Sequence, residues 1–219
     1  RILIGYEAEY YPKYFAKFLD HIESYGYDYL ILGQHVLGNE DSHSSAVPTL
    51  NEEYLATYVD QTNEALASGK FLYFAHPDIM NYTGDEKIYE KYMTRLCENA
   101  KKYGIPLEIN MLGLHGGRHY PSDKFFRIAA QVGNETVIGC DAHWPEAIAE
   151  EKSLAAAIEL ANRHGLTVKE KLIYKIGWII KPFAKLLGKL KIGTIAKLVK
   201  KLIRLICFLF KFFEHSRII

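Results

Sequence analysis

Phe71-Leu72-Tyr73-Phe74-Ala75-His76-Pro77-Asp78 is a short apolar run that ends on an imidazole. Its length is that of a buried strand, and Gly69 just before it reads as a helix stop. The same pattern recurs on both sides. Upstream, residues 2–8 alternate loosely and carry Glu7, and Asp28 to Gly33 leads into His35. Downstream, Leu107 to Asn110 carries Glu108, and Thr136 to Gly139 leads into Asp141 and His143. Each strand-like run thus delivers an acid or a histidine at or near its C-terminal end.

Helical patterns separate the runs. One extends from Pro12, in its first turn, to about Tyr25, with Gly26 as its stop. Asn51 is an N-cap for a helix to about Ser68. Another helix spans about Asp85 to Tyr103 and ends at Gly104, and Ser122 caps one that stops at Gly133. Helical periodicity returns at 145–164, while 36–49 and 111–121 read as loops. This alternation predicts a parallel α/β fold. A barrel is favoured over an open doubly wound sheet, because every strand, rather than the pair at one switch point, ends in a candidate ligand. No Gly-x-Gly-x-x-Gly and no Gly-Lys-Ser/Thr loop follows a strand, which removes the nucleotide folds.

The 219 residues, 49% hydrophobic, suffice for one sizeable core and an appendage. Cys97, Cys140 and Cys207 show no Cys-x-x-Cys spacing, which points to a reducing compartment, and Cys140 reads as a packing residue. No signal peptide and no uncharged run long enough to span a bilayer is present, so a cytoplasmic location is expected. The chain opens inside a strand-like run, which predicts structure upstream of Arg1.

Parallel strands bring their C-terminal ends to one rim, so these side chains converge in space. Carboxylates and imidazoles without thiolates suit Zn²⁺, Mn²⁺ or Fe²⁺. A cluster of acids would also repel itself without a cation. Glu7 and Glu9 lie two apart and face the same side, so periodicity does not choose between them. Asp141 and His143 are likewise two apart, which lets one segment serve two ions. His21, His43, His164 and His215 fall in helical or loop contexts and read as surface or structural residues.

Gly-Tyr-Glu-Ala-Glu-Tyr-Tyr-Pro at 5–12, Leu-Gly-Gln-His at 32–35, Ala-His-Pro-Asp at 75–78, Leu-Glu-Ile-Asn at 107–110, Tyr-Pro-Ser at 120–122 and Gly-Cys-Asp-Ala-His at 139–143 occur in that order. Together they resemble the PHP (polymerase and histidinol phosphatase) superfamily, most closely its monofunctional histidinol-phosphatase branch. The resemblance implies a distorted (β/α)7 barrel over 1–168, with its first strands missing, and two or three divalent metal ions. It implies that Glu7 bridges two metals, that His35 and His76 bind the second, and that Asp141 and His143 bind the first and third. Glu7, His35, Asp141 and His143 are thereby the expected catalytic set. Arg118, His115 and His119 become candidates for holding a substrate phosphate, with Glu108 near the site. The family's opening His-x-His strand has no counterpart here, and Gly-Leu-His at 113–115 stands where relatives often have Gly-Leu-Arg.

The expected activity is metal-dependent hydrolysis of a small phosphomonoester, L-histidinol phosphate by default, as in histidine biosynthesis. The alternatives are a phosphotyrosine-protein phosphatase of the capsule-regulating PHP type and a catalytically inactive, membrane-peripheral binding module.

The segment 169–219 reads differently. Residues 1–170 carry 15 Lys and Arg against 25 Asp and Glu, whereas 171–219 carry 12 against the single acid Glu214. Lysines recur among Leu, Ile and Phe through 171–213. That pattern predicts a basic amphipathic helical tail able to lie on an anionic membrane surface, at the inner face of the membrane. Packing on the acidic barrel or on a partner is the alternative. No stacking platform for nucleic acid is apparent.

Overall fold

The structure, a computed structural model, describes residues 3–39 and 43–172. Six strands form one sheet: β1 (Gly5–Ala8), β2 (Tyr29–Leu32), β3 (Phe71–Phe74), β4 (Leu107–Asn110), β5 (Glu135–Gly139) and β6 (Thr167–Val168). They lie in chain order and every neighbouring pair is parallel. The helices are α1 (Phe15–Glu23), α2 (Glu52–Ala67), α3 (Glu86–Tyr103), α4 (Met111–His115), α5 (Asp123–Val132) and α6 (Glu151–His164), with a 3₁₀ turn at Pro145–Ala149.

Chain-order pairing distinguishes this sheet from a doubly wound one. Right-handed crossovers that always step in the same direction put every helix on one face. The other face is then the inside of a curved wall, as in a barrel. Helices α2, α3, α5 and α6 pack one against the next along the covered face. On β4, Leu107 and Ile109 enter the hydrophobic core with Phe74, Tyr58, Met93, Leu96 and Phe125. The alternate residues Glu108 and Asn110 point to the opposite face, although they too are buried.

Local sequence explains the helix ends. Asn51 accepts from Glu53 N at 2.9 Å, and Asp85 from Lys87 N at 2.7 Å. Gly104 and Gly133, with φ of 67° and 79°, close α3 and α5 in the left-handed region. Three features depart from expectation. The stretch 111–121, read as a loop, contains α4, whose start is capped by the Asn110 side chain accepting from Gly113 N at 2.8 Å. The helix expected over 145–164 is split, because the Glu150 carboxylate caps Lys152 N and Ser153 N and begins α6 afresh. Finally, β6 adds a strand that its two residues were too few to announce.

The chain divides into Arg1–Leu172 and Ile173–Ile219. The second unit, and with it nearly all of the basic segment expected at 171–213, lies outside the described residues. No helix among the described residues is long and apolar enough to cross a membrane.

Candidate metal centre

Glu7 pairs in register with Ile31 on β2, so Gly33, two residues further on, lies on the same face. A Cβ at Gly33 would overlap the Glu7 carboxylate, so a glycine is what lets the acid lie flat against the next strand. Two imidazoles meet the seated carboxylate. His76 Nε2 is 3.0 Å and His35 Nε2 3.5 Å from Glu7 Oε1, and the two rings are 4.7 Å apart. Each of Glu7, His35 and His76 offers a ligand atom within 4.8 Å of the others.

The electrostatics follow from that packing. Burial pushes the Glu7 carboxyl up, but the hydrogen bond and charge of His76, with His35 and His143, outweigh it and hold Glu7 below its ordinary value. Burial pushes His76 down. Its hydrogen bond to Glu7 and the charges of Glu108, Glu7 and Asp141 reverse that, so the ring lies above its usual value.

His76 and Asp141 are the non-glycine residues with positive φ among the described residues, at 32° and 46°. Such backbone costs about 1–3 kcal/mol at each position. Both lie just beyond a strand, where the turn redirects the side chain. His76 is held there by its own N–H, which donates to Glu108 Oε2 at 2.9 Å.

The Glu7–Gly33 arrangement has a twin. Glu108 pairs with Val137, and a Cβ at Gly139, two residues on, would overlap the Glu108 carboxylate. Glu108 is 2% exposed, and burial pushes its carboxyl up, partly offset by hydrogen bonding from Asn110 and the charge of His76. The Asn110 amide has a fixed orientation, because its Oδ1 accepts from Gly113 N. Its Nδ2 therefore donates, to Glu108 Oε2 at 2.9 Å and to Asp141 Oδ2 at 3.1 Å. One amide thus ties β4 to the segment after β5.

A cavity of about 370 Å³ opens over these groups. Glu7, His35, His76, Asp141, His143 and Arg118 all line it, together with Tyr120 and Leu112. Asp141 and His143 share the cavity without joining the three-residue cluster. The His143 Nδ1 lies 2.9 Å from the Asp141 carbonyl and 3.5 Å from its Oδ1. Glu108 lies beneath the site rather than on its wall. His115 is turned toward Glu150, at 3.8 Å, and the Trp144 ring, at 5.7 Å, and does not line this cavity. His119 Nε2 lies 2.7 Å from Ile79 O, and burial pushes that ring below its ordinary value; it too stands outside the wall. Among the residues read as structural, His43 stacks on Tyr54, His21 lies edge-on to Tyr25 and His164 bonds Asp123. His215 lies outside the described residues. Sequence reasoning gave no role to Asn110, whose signals were its place in Leu-Glu-Ile-Asn and its position two residues beyond Glu108 on one strand face.

The donor chemistry fits a divalent cation. A carboxylate and two imidazoles face one point, with no thiolate among the cavity's lining residues and with open space for further ligands.

No protein-family model matches the sequence, and no curated protein matches it significantly. Solved structures do resemble the fold. One, assigned as the histidinol phosphatase hisK of Listeria monocytogenes, aligns with a TM-score of 0.56 at 19% identity, over 70% of this chain and 68% of that one. Another is the histidinol phosphate phosphatase (HISK) of Lactococcus lactis subsp. lactis Il1403, complexed with zinc, L-histidinol and phosphate. It aligns with a TM-score of 0.60 at 18% identity, over 78% of this chain and 70% of that one. The chain shares the fold of these two proteins.

Proposed function

We propose that the cavity is the active site of a metal-dependent phosphatase acting on a small phosphomonoester. The observation that carries this reading is the convergence of Glu7, His35 and His76 within 4.8 Å, in a cavity that also contains Arg118. L-Histidinol phosphate is the first substrate to test, because a protein of the same fold has been solved with zinc, L-histidinol and phosphate.

Divalent ions would be held by Glu7, His35 and His76, with Asp141 and His143 assigned to further ions across the cavity. When bound, such ions polarise phosphoryl oxygens and make water ionise near neutral pH. The chain's own groups supply the rest. Glu7, held below its ordinary pKa, keeps its charge for a cation. Arg118 donates to the Tyr120 hydroxyl through Nη1, which fixes the plane of its guanidinium. Its remaining N–H groups can take a phosphate in a forked pair of hydrogen bonds. Leu112 and Ala8 give the wall apolar surface for the part of the substrate that leaves.

Phosphate release from L-histidinol phosphate and from a phosphotyrosine peptide, each with Zn²⁺ or Mn²⁺ and again after chelation, tests the reading. Release from L-histidinol phosphate that chelation stops and metal restores is the expected result. Preference for the peptide would move the substrate to the phosphotyrosine class. Full activity without metal, or no divalent-metal binding at all, would overturn the proposal.

A further inference from the structure

Glu9 is the cavity acid that the metal reading does not use. It lies two residues beyond Glu7, and its two oxygens gather the turn that carries His35. Oε1 accepts from His35 N at 2.9 Å and lies 2.7 Å from His35 Nδ1. Oε2 accepts from Gln34 Nε2 at 3.1 Å and from Val36 N at 3.4 Å. The Gln34 amide is itself fixed. It is fully buried, its Oε1 accepts from Tyr10 N at 3.2 Å, and its Nε2 also donates to Val36 O at 2.7 Å. The acid is therefore held on both oxygens by groups that cannot rotate away.

We propose that Glu9 is a positioning residue that sets the tautomer and ring angle of His35 and so governs the affinity of the ion His35 helps to hold. A carboxylate offers acceptors and no donor, so the neutral His35 ring must carry its proton on Nδ1 to satisfy the 2.7 Å contact. The lone pair is then on Nε2, the atom that faces Glu7 Oε1. A carboxylate that orients a histidine through its far nitrogen is how proteins fix imidazole ligands. The neighbouring ring lacks that device: His76 Nδ1 is buried with no hydrogen-bond partner among the described residues. It is held instead by burial and by its main-chain bond to Glu108. His35, much more exposed, has no such packing and depends on Glu9.

This inference rests on the metal reading, and its test separates the two. Long-range ¹H–¹⁵N correlations of the wild-type imidazoles near pH 8, with His35 assigned by its loss in His35→Ala, report the tautomer without any change at Glu9. Proton on Nδ1 is expected, and proton on Nε2 would overturn the proposal. Zn²⁺ titration against a competing chelator then compares wild type with Glu9→Gln and Glu9→Asp. Glu9→Gln turns its amide N–H either toward His35 N and Nδ1 or toward Gln34 Nε2 and Val36 N, and loses two of the four contacts in either orientation. It should weaken Zn²⁺ binding ~10–100-fold, while the metal-free protein still unfolds cooperatively at a moderately lower thermal midpoint. Glu9→Asp, which keeps the acceptor, should recover part of the loss. Equal Zn²⁺ affinity for wild type and Glu9→Gln sinks the role of Glu9 and leaves the metal centre standing. No Zn²⁺ binding by wild type sinks both.

Discussion

Glu7 and Glu108 occupy equivalent places on the sheet and have opposite chemistry. Each lies on a parallel strand, and each lies against a glycine two residues beyond its register partner on the next strand. Their surroundings diverge. Glu7 meets two imidazole nitrogens at the cavity wall and is held below its ordinary pKa. Glu108 is roofed over, meets a main-chain N–H and an amide, and is pushed above its ordinary pKa. A glycine seat therefore brings a carboxylate to the rim, and the imidazoles that face it decide whether a cation can share it. Glu108 instead spends its acceptors on aiming His76 and Asn110.

The comparison breaks first at Glu7→Gln. Losing the charge that two imidazoles surround should abolish Zn²⁺ binding in calorimetric titration and lower phosphate release ~10³-fold or more, since a metal's contribution to such chemistry is several kcal/mol. Glu108→Gln should fall well short of that. It keeps the one oxygen that accepts from both His76 N and Asn110 Nδ2 but loses the charge that faces His76, and a loss of ~10–100-fold in metal affinity is expected from an outer partner. Equal losses from the two changes would make Glu108 a ligand and erase the distinction.

Much of this was legible in the sequence, for identifiable reasons. The strands announced themselves by short apolar runs between glycine stops, and their polar ends marked the rim. The pair Glu7 and Glu9 was degenerate because strand residues two apart share a face. Only the fold shows that Glu7 faces both imidazoles while Glu9 reaches around the His35 turn. Sequence neighbours part company at 115, 118 and 119. Arg118 lines the cavity, but α4 carries His115 to Trp144 and Glu150, and His119 turns to Ile79. Helix α4 was hidden by Gly113 within it and by Gly116 and Gly117 just beyond it, residues that disfavour helix, and is started by a side-chain cap that composition does not reveal.

Besides Glu108, a second buried carboxylate sharpens the contrast between paired and unpaired acids. Asp78, 2% exposed, accepts from Ser122 N at 2.6 Å through Oδ2, while its Oδ1 has no partner among the described residues. Burial pushes it up to about 6 from 3.8. The folded state thus binds this proton more tightly than the unfolded chain. Stability from this group is full below the unfolded pKa and lost as pH rises through the folded value, by about 2 kcal/mol between pH 4 and 7. Asp78→Asn cannot titrate and retains an oxygen for Ser122 N. Urea denaturation should show its stability relative to wild type rising by about that amount over the same range. A pH-independent difference would mean that Asp78 is ionised without penalty.

The two glycine seats offer a smaller and more symmetrical test. Gly33→Ala and Gly139→Ala each place a Cβ where a carboxylate lies, and overpacking of this kind costs about 1–3 kcal/mol. The readouts should differ. Gly33→Ala displaces Glu7 and should weaken Zn²⁺ binding more than it lowers the thermal midpoint. Gly139→Ala displaces a buried acid and should lower the midpoint more. Indistinguishable profiles would mean that the seats are interchangeable.

The smallest effects separate the wall of the cavity from what lies beside it in sequence. Arg118 is a cationic side chain on that wall, and its guanidinium is anchored by Tyr120. Arg118→Ala should raise KM for a small phosphomonoester about tenfold, the worth of one charge-assisted hydrogen bond. Metal affinity should stay unchanged, because Arg118 touches none of the three clustered donors. His115→Ala, three residues away, should leave KM and kcat within about twofold of wild type, since surface changes away from such features have little effect. A KM effect at position 115 as large as that at 118 would mean that α4 turns its histidine into the cavity when substrate binds.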